Sequence, residues 1–362
     1  MKREICLLLS GAMLLSLLTA CGSSTGTTDS DAAAAGTTSI SAIDTSEAGA
    51  ERTDDQEEAT VSGQDLDDGA YPMTFENYGR EVTVTGKPEK VLTLGPNCTE
   101  LFAALGLADH VIGRSLVNHS RGPLDEYVEV INAIPELNHA SVTREAIISS
   151  GADFIYALDW EISETGCNIE EAAQYGMTVY VNSAVTLDEQ YQEIRDLGKI
   201  FGIEDVAGQY VADQQSRIEA VQEAIAGQEP VTVLVYDSGN NGVFTCSGSN
   251  FESLLVGLAG GRNLFDDLTD RQWVTVSYEE VLARNPDVIL IHDYDSPSVE
   301  EKIAEIKNNP TLAQLECVQK ERFATITLES VLPGNRMAYA VESMAAAFYP
   351  GVFDNETNEF EE

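Results

Sequence analysis

From Tyr71 onward, short apolar runs alternate with longer amphipathic segments. Lys90-Val91-Leu92-Thr93-Leu94, stopped by Gly95-Pro96-Asn97, reads as a short buried strand. The pattern recurs at 111–114, 154–158 and 179–181, and after Glu229-Pro230 at 231–236, 274–276, 288–291 and 324–328. Between these runs, 98–105 (capped by Asn97 or Thr99), 143–149, 169–175 and 187–201 carry helical patterning, and 337–348 forms a last helix. A small hairpin, 74–75 with 81–85 about Asn77-Tyr78-Gly79, precedes them. Strands alternating with helices predict parallel sheets covered on both faces. Residues 204–226 run without proline, which predicts one helix of roughly 35 Å at 1.5 Å per residue. The pattern therefore predicts two doubly wound α/β lobes joined by a long backbone helix.

The first residues obey a different rule. Lys2 and Arg3 precede an apolar run from Ile5 to Leu18, too short for a comfortable membrane span and suited to a signal peptide. It ends in Leu18-Thr19-Ala20-Cys21-Gly22, which resembles a bacterial lipobox and predicts lipidation of Cys21 after removal of 1–20. Between Gly22 and Gly69 lie twelve acidic residues against the single basic Arg52, with no aromatic, so 21–70 is expected to be a disordered acidic tether. The expected domains are an N-terminal lobe over 71–203, the backbone helix over 204–227, a C-terminal lobe over 228–350 and a polar tail over 351–362.

Charge and cysteine usage remove several classes of function. Sixty-one acidic against 20 basic residues give a formal charge of −41, which repels phosphate backbones and argues against nucleic-acid binding. Beyond Cys6 and Cys21, the four cysteines Cys98, Cys167, Cys246 and Cys317 stand 69, 79 and 71 residues apart, matching no zinc or redox spacing. They are expected to be free or opportunistically paired, since the sequence favours none of the three full pairings. No P-loop, GxSxG, HExxH or paired CxxC is present, so no enzyme is expected.

Four strings, PEKVLTLGPNCTELFAALGLADHVIG, SVTREAIISSGADFIYA, GLAGGRNLFDDLTDRQWVTVSYEEVLARNPDVILI and LPGNRMAYAVESMAAAFYP, stand in this order across about 71–350. Together they resemble the helical-backbone substrate-binding proteins that feed ABC importers of ferric siderophores, cobalamin and haem. The resemblance implies a monomeric receptor, anchored on the extracytoplasmic side of the membrane, that holds its cargo between the lobes. It implies no intrinsic cofactor, and delivery to a permease with its cytoplasmic ATPase. A long backbone helix resists bending, so lobe movement is expected to be small. The resemblance also assigns permease docking to Glu145, after SVTR, and to Glu279, after VSY, one on each lobe.

Ligands of open α/β sheets sit outside the carboxyl ends of the strands. That rule selects Asn97, Arg114, His119 and Trp160 in the first lobe, and Asp237, Ser238, Trp273, Tyr294 and Arg336 in the second, with Phe244 in a neighbouring loop. Tryptophans suit large flat ligands, while Arg114, Arg271, Arg336 and nearby Arg121 could hold an anionic chelate. The expected cargo is a ferric siderophore or similar chelate, with a corrinoid or haem as the alternative. A bare divalent metal, held by His119, His139, His292 and Asp293, is the second alternative.

Overall fold

The computed structural model describes residues 70–353 of the 362-residue chain. The expectations for the signal peptide, Cys21, the tether and the tail beyond Phe353 lie outside the described residues.

Val91–Leu94 is buried throughout and lies at the centre of a five-stranded parallel sheet. Val111–Ser115 and then Glu136–Asn138 extend it on one side, Phe154–Leu158 and then Thr178–Asn182 on the other. The chain builds outward one way and then reverses, so the carboxyl ends of Val91–Leu94 and Phe154–Leu158 form a topological switch point. A four-stranded parallel sheet repeats this, in the order Gly261–Asn263, Val231–Tyr236, Val288–Asp293, Phe323–Thr327. Its switch point lies between Val231–Tyr236 and Val288–Asp293.

The sequence pattern and the structure differ in several places: the helix after Val91–Leu94 is Pro96–Ala104 with Gly95 at its N-cap, not Asn97 or Thr99, and strands Glu136–Asn138 and Gly261–Asn263 carry no apolar run that marks them. The first hairpin is longer than read, Met73–Asn77 against Arg80–Val84, and turns through Tyr78 and Gly79 at φ 53° and 68°, as a two-residue hairpin with matching twist requires. Trp273–Val276 does not join the parallel series. It pairs antiparallel with Val243–Cys246, which also pairs with Ser238–Gly239. Gly242, at φ 149°, reverses the chain where a Cβ would stand 2.5 Å from the Val276 carbonyl oxygen, so a stretch read as loop becomes sheet. Finally, the long helix ends two residues before 226, as Glu204–Ala224.

That helix buries Ala207, Val211, Gln214, Ile218 and Val221, spaced alternately four and three residues apart, which makes a narrow seam along one face. Helices Leu187–Phe201 and Met337–Phe348, one from each lobe, both pack against it. Gly198 admits the first of them closely, since a Cβ there would lie 2.7 Å from that of Ala207. The second is fixed by polar contacts: Arg217 donates to Glu342 at 2.9 and 2.6 Å, and the Gln214 Oε1 accepts from Ala338 N at 3.0 Å. One continuous core results, from Leu101 and Phe201 through Ile218 to Met337 and Phe348. Cys98, Cys167, Cys246 and Cys317 are all free and buried within the two lobes, and burial pushes each thiol pKa upward.

Truncating Ile218 to Ala opens a cavity where both lobes meet the helix, and should lower the unfolding free energy by about 2–5 kcal/mol in urea denaturation. An unchanged midpoint would show that the seam does not join the lobes.

Candidate functional site

Both switch points open onto one cavity of about 300 Å³, lined by His119 and Trp160 from the first lobe and Asp237, Phe244, Trp273, Tyr294 and Leu328 from the second. Local structure explains each position. Trp160 sits in the helical turn Asp159–Glu161 directly after Phe154–Leu158, while Asp237, Tyr294 and Leu328 directly follow three strands of the second sheet. The added antiparallel sheet supplies Phe244 and Trp273, diagonal neighbours on adjacent strands, since Phe244 pairs with Thr275 and Trp273 with Cys246.

The rings form an arc across the lobes. Tyr294 stacks on His119 at 6.2 Å, and His119 meets Trp160 edge-on at 5.9 Å. Trp160 then meets Trp273 at 6.2 Å, and Trp273 stacks on Phe244 at 5.4 Å. Burial lowers the pKa of His119, which is therefore a neutral ring at pH 7.

One carboxylate interrupts this apolar wall. Asp237 Oδ1 faces His292 Nδ1 at 3.1 Å, and Oδ2 accepts from the Ser238 and Tyr294 hydroxyls at 3.0 and 3.3 Å. Behind it, fully buried His292 turns Nε2 to Glu252 Oε1 at 2.9 Å. Lys302 Nζ donates to the His292 carbonyl at 2.7 Å and lies 3.7 Å from the Tyr294 ring centroid. Burial opposes ionisation of Asp237, but His292, Lys302 and Ser238 outweigh it and hold the carboxyl below its ordinary value. Burial likewise opposes charge on His292, yet Glu252 and Asp237 prevail and hold its pKa up at about 9.

Four of the nine residues selected for the cleft do not line it. Arg336 is buried and spans the lobes instead: Nε donates to Glu100 Oε1 at 2.6 Å, a second nitrogen meets Glu100 Oε2, and a third contact reaches the Gly122 carbonyl at 2.8 Å. Glu329, also buried, takes the opposite path and accepts from Ser120 Oγ and Arg121 N of the first lobe at 2.8 and 3.0 Å. Asn97 is buried in the same interface, donating to Asn182 Oδ1 at 2.8 Å and to the Pro333 carbonyl at 2.7 Å. Arg114 lines a separate cavity with Glu100 and Ser115. Ser238 supports Asp237 from the side. Two more pairs also cross between the lobes, exposed Arg121 with half-buried Asp293 at 3.4 Å and exposed His139 with Asp295 at 3.2 Å.

Strand-end reasoning located His119, Trp160, Asp237, Trp273 and Tyr294 but missed Leu328, Glu252, Lys302 and Glu100. Leu328 reads as the end of a buried strand, and the other three lie inside helices, where sequence offers no sign of an inward polar group. The proposed metal ligands do not converge: His292 is enclosed by carboxylates, His119 is stacked on Tyr294, and His139 is exposed beside Glu136 and Asp295. No cluster of three or more His, Cys, Asp or Glu able to hold a metal ion occurs among the described residues. Glu145 and Glu279 are both exposed in the first turns of corresponding helices, Arg144–Ser149 and Tyr278–Arg284.

Two parallel-sheet lobes, a bridging helix and an aromatic cleft between switch points define a two-lobed solute receptor. Residues 91–329 match the model of the periplasmic binding proteins, and the chain belongs to that family. It is 26% identical over 289 residues to the uncharacterized ABC transporter substrate-binding lipoprotein YvrC of Bacillus subtilis, covering 78% of this chain and 87% of that one. It is 24% identical over 221 residues to the vitamin B12-binding protein of Vibrio campbellii, covering 61% and 75%. Its fold matches the crystal structure of an ABC-type Fe3+-hydroxamate transport system from Saccharomonospora viridis with TM-score 0.67 and 22% identity, covering 77% and 99%. Members of the family bind transported ligands rather than resident cofactors.

Replacing Arg336 by Met strands the Glu100 carboxylate in the interface, and should lower stability by about 3–5 kcal/mol in chemical denaturation. The double variant Glu100→Gln/Arg336→Met should recover part of this. Equal losses in both would show that the charge pair is not the cause.

Proposed function

We propose that this chain is the lipid-anchored receptor of an ABC importer and that its cargo is a corrinoid. One observation carries the choice of cargo: the cavity is walled by aromatic rings and one ionised carboxylate, with no arginine or lysine among its lining residues. A wall that presents a carboxylate oxygen and no cation has nothing to pair with an anionic ferric catecholate or the propionates of haem, whereas a neutral corrinoid presents broad apolar faces to the rings and amide donors to Asp237. Of the arginines that favoured an anionic chelate, Arg336 lies between the lobes, Arg121 pairs with Asp293 and Arg114 lines a separate cavity, and none of the four lines this one. The vitamin B12-binding relatives support the corrinoid. A neutral ferric hydroxamate is the second reading, because the same charge argument admits it and a structural relative is described as a hydroxamate transport system.

The chain has two tryptophans, Trp160 and Trp273, and both line the cavity, so intrinsic fluorescence reports on it directly. Cyanocobalamin should quench that fluorescence saturably, and Trp160→Ala should weaken binding by about tenfold for the lost stacking. Saturable quenching by a ferric tricatecholate and none by cyanocobalamin would overturn the reading.

Cys21 is the proposed anchor, supported by the Leu18-Thr19-Ala20-Cys21 signature and by the lipoprotein relative. Cys21→Ala should abolish incorporation of a clickable palmitate and move the protein to the soluble fraction. Retention of label would refute the assignment. Glu145 and Glu279 are the proposed permease contacts: each is exposed, one on each lobe, and paired charges orient an encounter.

A further inference from the structure

The cleft's single carboxylate rests on a buried charge cluster that a solvent-exposed aspartate would not need. Four ionisable groups meet behind the aromatic wall: Asp237 after its strand, Glu252 in helix Phe251–Leu258, His292 in strand Val288–Asp293, and Lys302 in helix Val299–Asn308. Their neighbours add little free charge. Cys246 is a buried thiol kept protonated, Asp293 is drawn to Arg121, and Trp273 presents its ring to His292 at 5.9 Å. With His292 doubly protonated, two anions face two cations and the cluster is neutral. A neutral imidazole would leave one ring nitrogen lone pair against a carboxylate oxygen, and a net negative charge in a buried site, both strongly unfavourable.

We infer that His292 is a positioning residue for cargo recognition: as an imidazolium clamped between Asp237 and Glu252, it fixes the Asp237 carboxylate, charged, at the cavity wall to accept N–H donors from the cargo. The selected cargo therefore carries amide or ammonium donors at its rim. This rests on the corrinoid reading for the identity of the donors, but not for the state of the ring. Ring stacking supplies area, and the clamped carboxylate supplies the orientation that stacking alone leaves free. Glu252 acts only through His292, and Lys302 holds the strand carbonyl while balancing the charge.

The sign of the pH dependence follows. The ring is protonated through neutral pH and loses its proton near pH 9, so cargo binding weakens as pH rises through that region. Lys302, lowered to about 8 by burial, titrates nearby, and the variants separate the two. Glu252→Gln removes a carboxylate that faces His292 and the Cys246 thiol but not Lys302, and should move the break to lower pH. His292→Gln should remove the histidine break and weaken cyanocobalamin binding by about ten- to a hundredfold, as for a hydrogen bond to a misplaced charged group.

The test combines cyanocobalamin titrations of the full chain and these variants from pH 6 to 10 with nitrogen-15 spectra of the ring. The chain has four histidines, so His292→Gln assigns the signal. Two protonated ring nitrogens at pH 7.5, with a titration near 9 that Glu252→Gln shifts acidward, are expected. A neutral ring at pH 7.5 overturns the inference whatever the cargo, and should His292→Gln fail to fold, Glu252→Gln carries the comparison. If the wild type binds cyanocobalamin but Asp237→Asn and His292→Gln bind it equally well, the positioning role falls while the corrinoid reading stands. If the wild type binds no cyanocobalamin, the corrinoid reading falls and the ring state is still decided by the spectra.

Discussion

The relative position of the lobes depends on an exchange of buried charge. Glu100 of the first lobe takes the guanidinium of Arg336 from the second, and Glu329 of the second takes the hydroxyl and backbone donors of 120–121 from the first. Each lobe thus holds a carboxylate whose shortest bonds come from the other, with Leu124 N on Glu100 and Arg336 on Glu329 as longer contacts within the lobe. Such pairs contribute little net stability over apolar packing, but breaking one is expensive, which makes them good at fixing a single arrangement. The segment 117–122 that accepts this exchange also carries His119 into the cleft, so the interface and the binding wall share a short piece of backbone. The helix Glu204–Ala224 adds a second tie, packing against one helix from each lobe.

Electrostatics in the cleft follow from what is desolvated together. A protein with 61 acidic residues has no shortage of negative charge, yet one carboxylate stands in the aromatic wall. Its ionisation is favoured by His292 and Lys302, which stand behind it and not in the cavity lining. The scarce arginines serve as joints between elements: Arg217 joins the long helix to Glu342, Arg284 joins helix Tyr278–Arg284 to Asp267, and Arg336 joins the lobes.

Much of the fold was legible because parallel strands buried on both faces read as continuous apolar runs, as at Val91–Leu94 and Val288–Asp293. The antiparallel annex was not, because Val243–Cys246 is short and its reversal depends on the backbone angles of Asn241 and Gly242, which no hydrophobic period encodes. In the cleft, aromatic residues at strand ends were legible from topology alone. Arg336 was misjudged for a physical reason: a guanidinium in a polar loop has the same sequence signature whether it meets a ligand or a carboxylate from 236 residues away. Glu252 and Lys302 lie in helices whose polar positions ordinarily face water, so their inward turn is visible only once the strands are assembled.

The four thiols give the fold a chemical property as well. Each is enclosed and kept in its unreactive protonated form by burial, in a family whose members work outside the cytoplasm. Conformation is therefore their only shield: two lie in each lobe, and a lobe that opens releases nucleophiles into an oxidising medium. Oxidation would then trap the opened chain, so durability in that environment is set by how rarely the lobes unfold and not by any covalent staple.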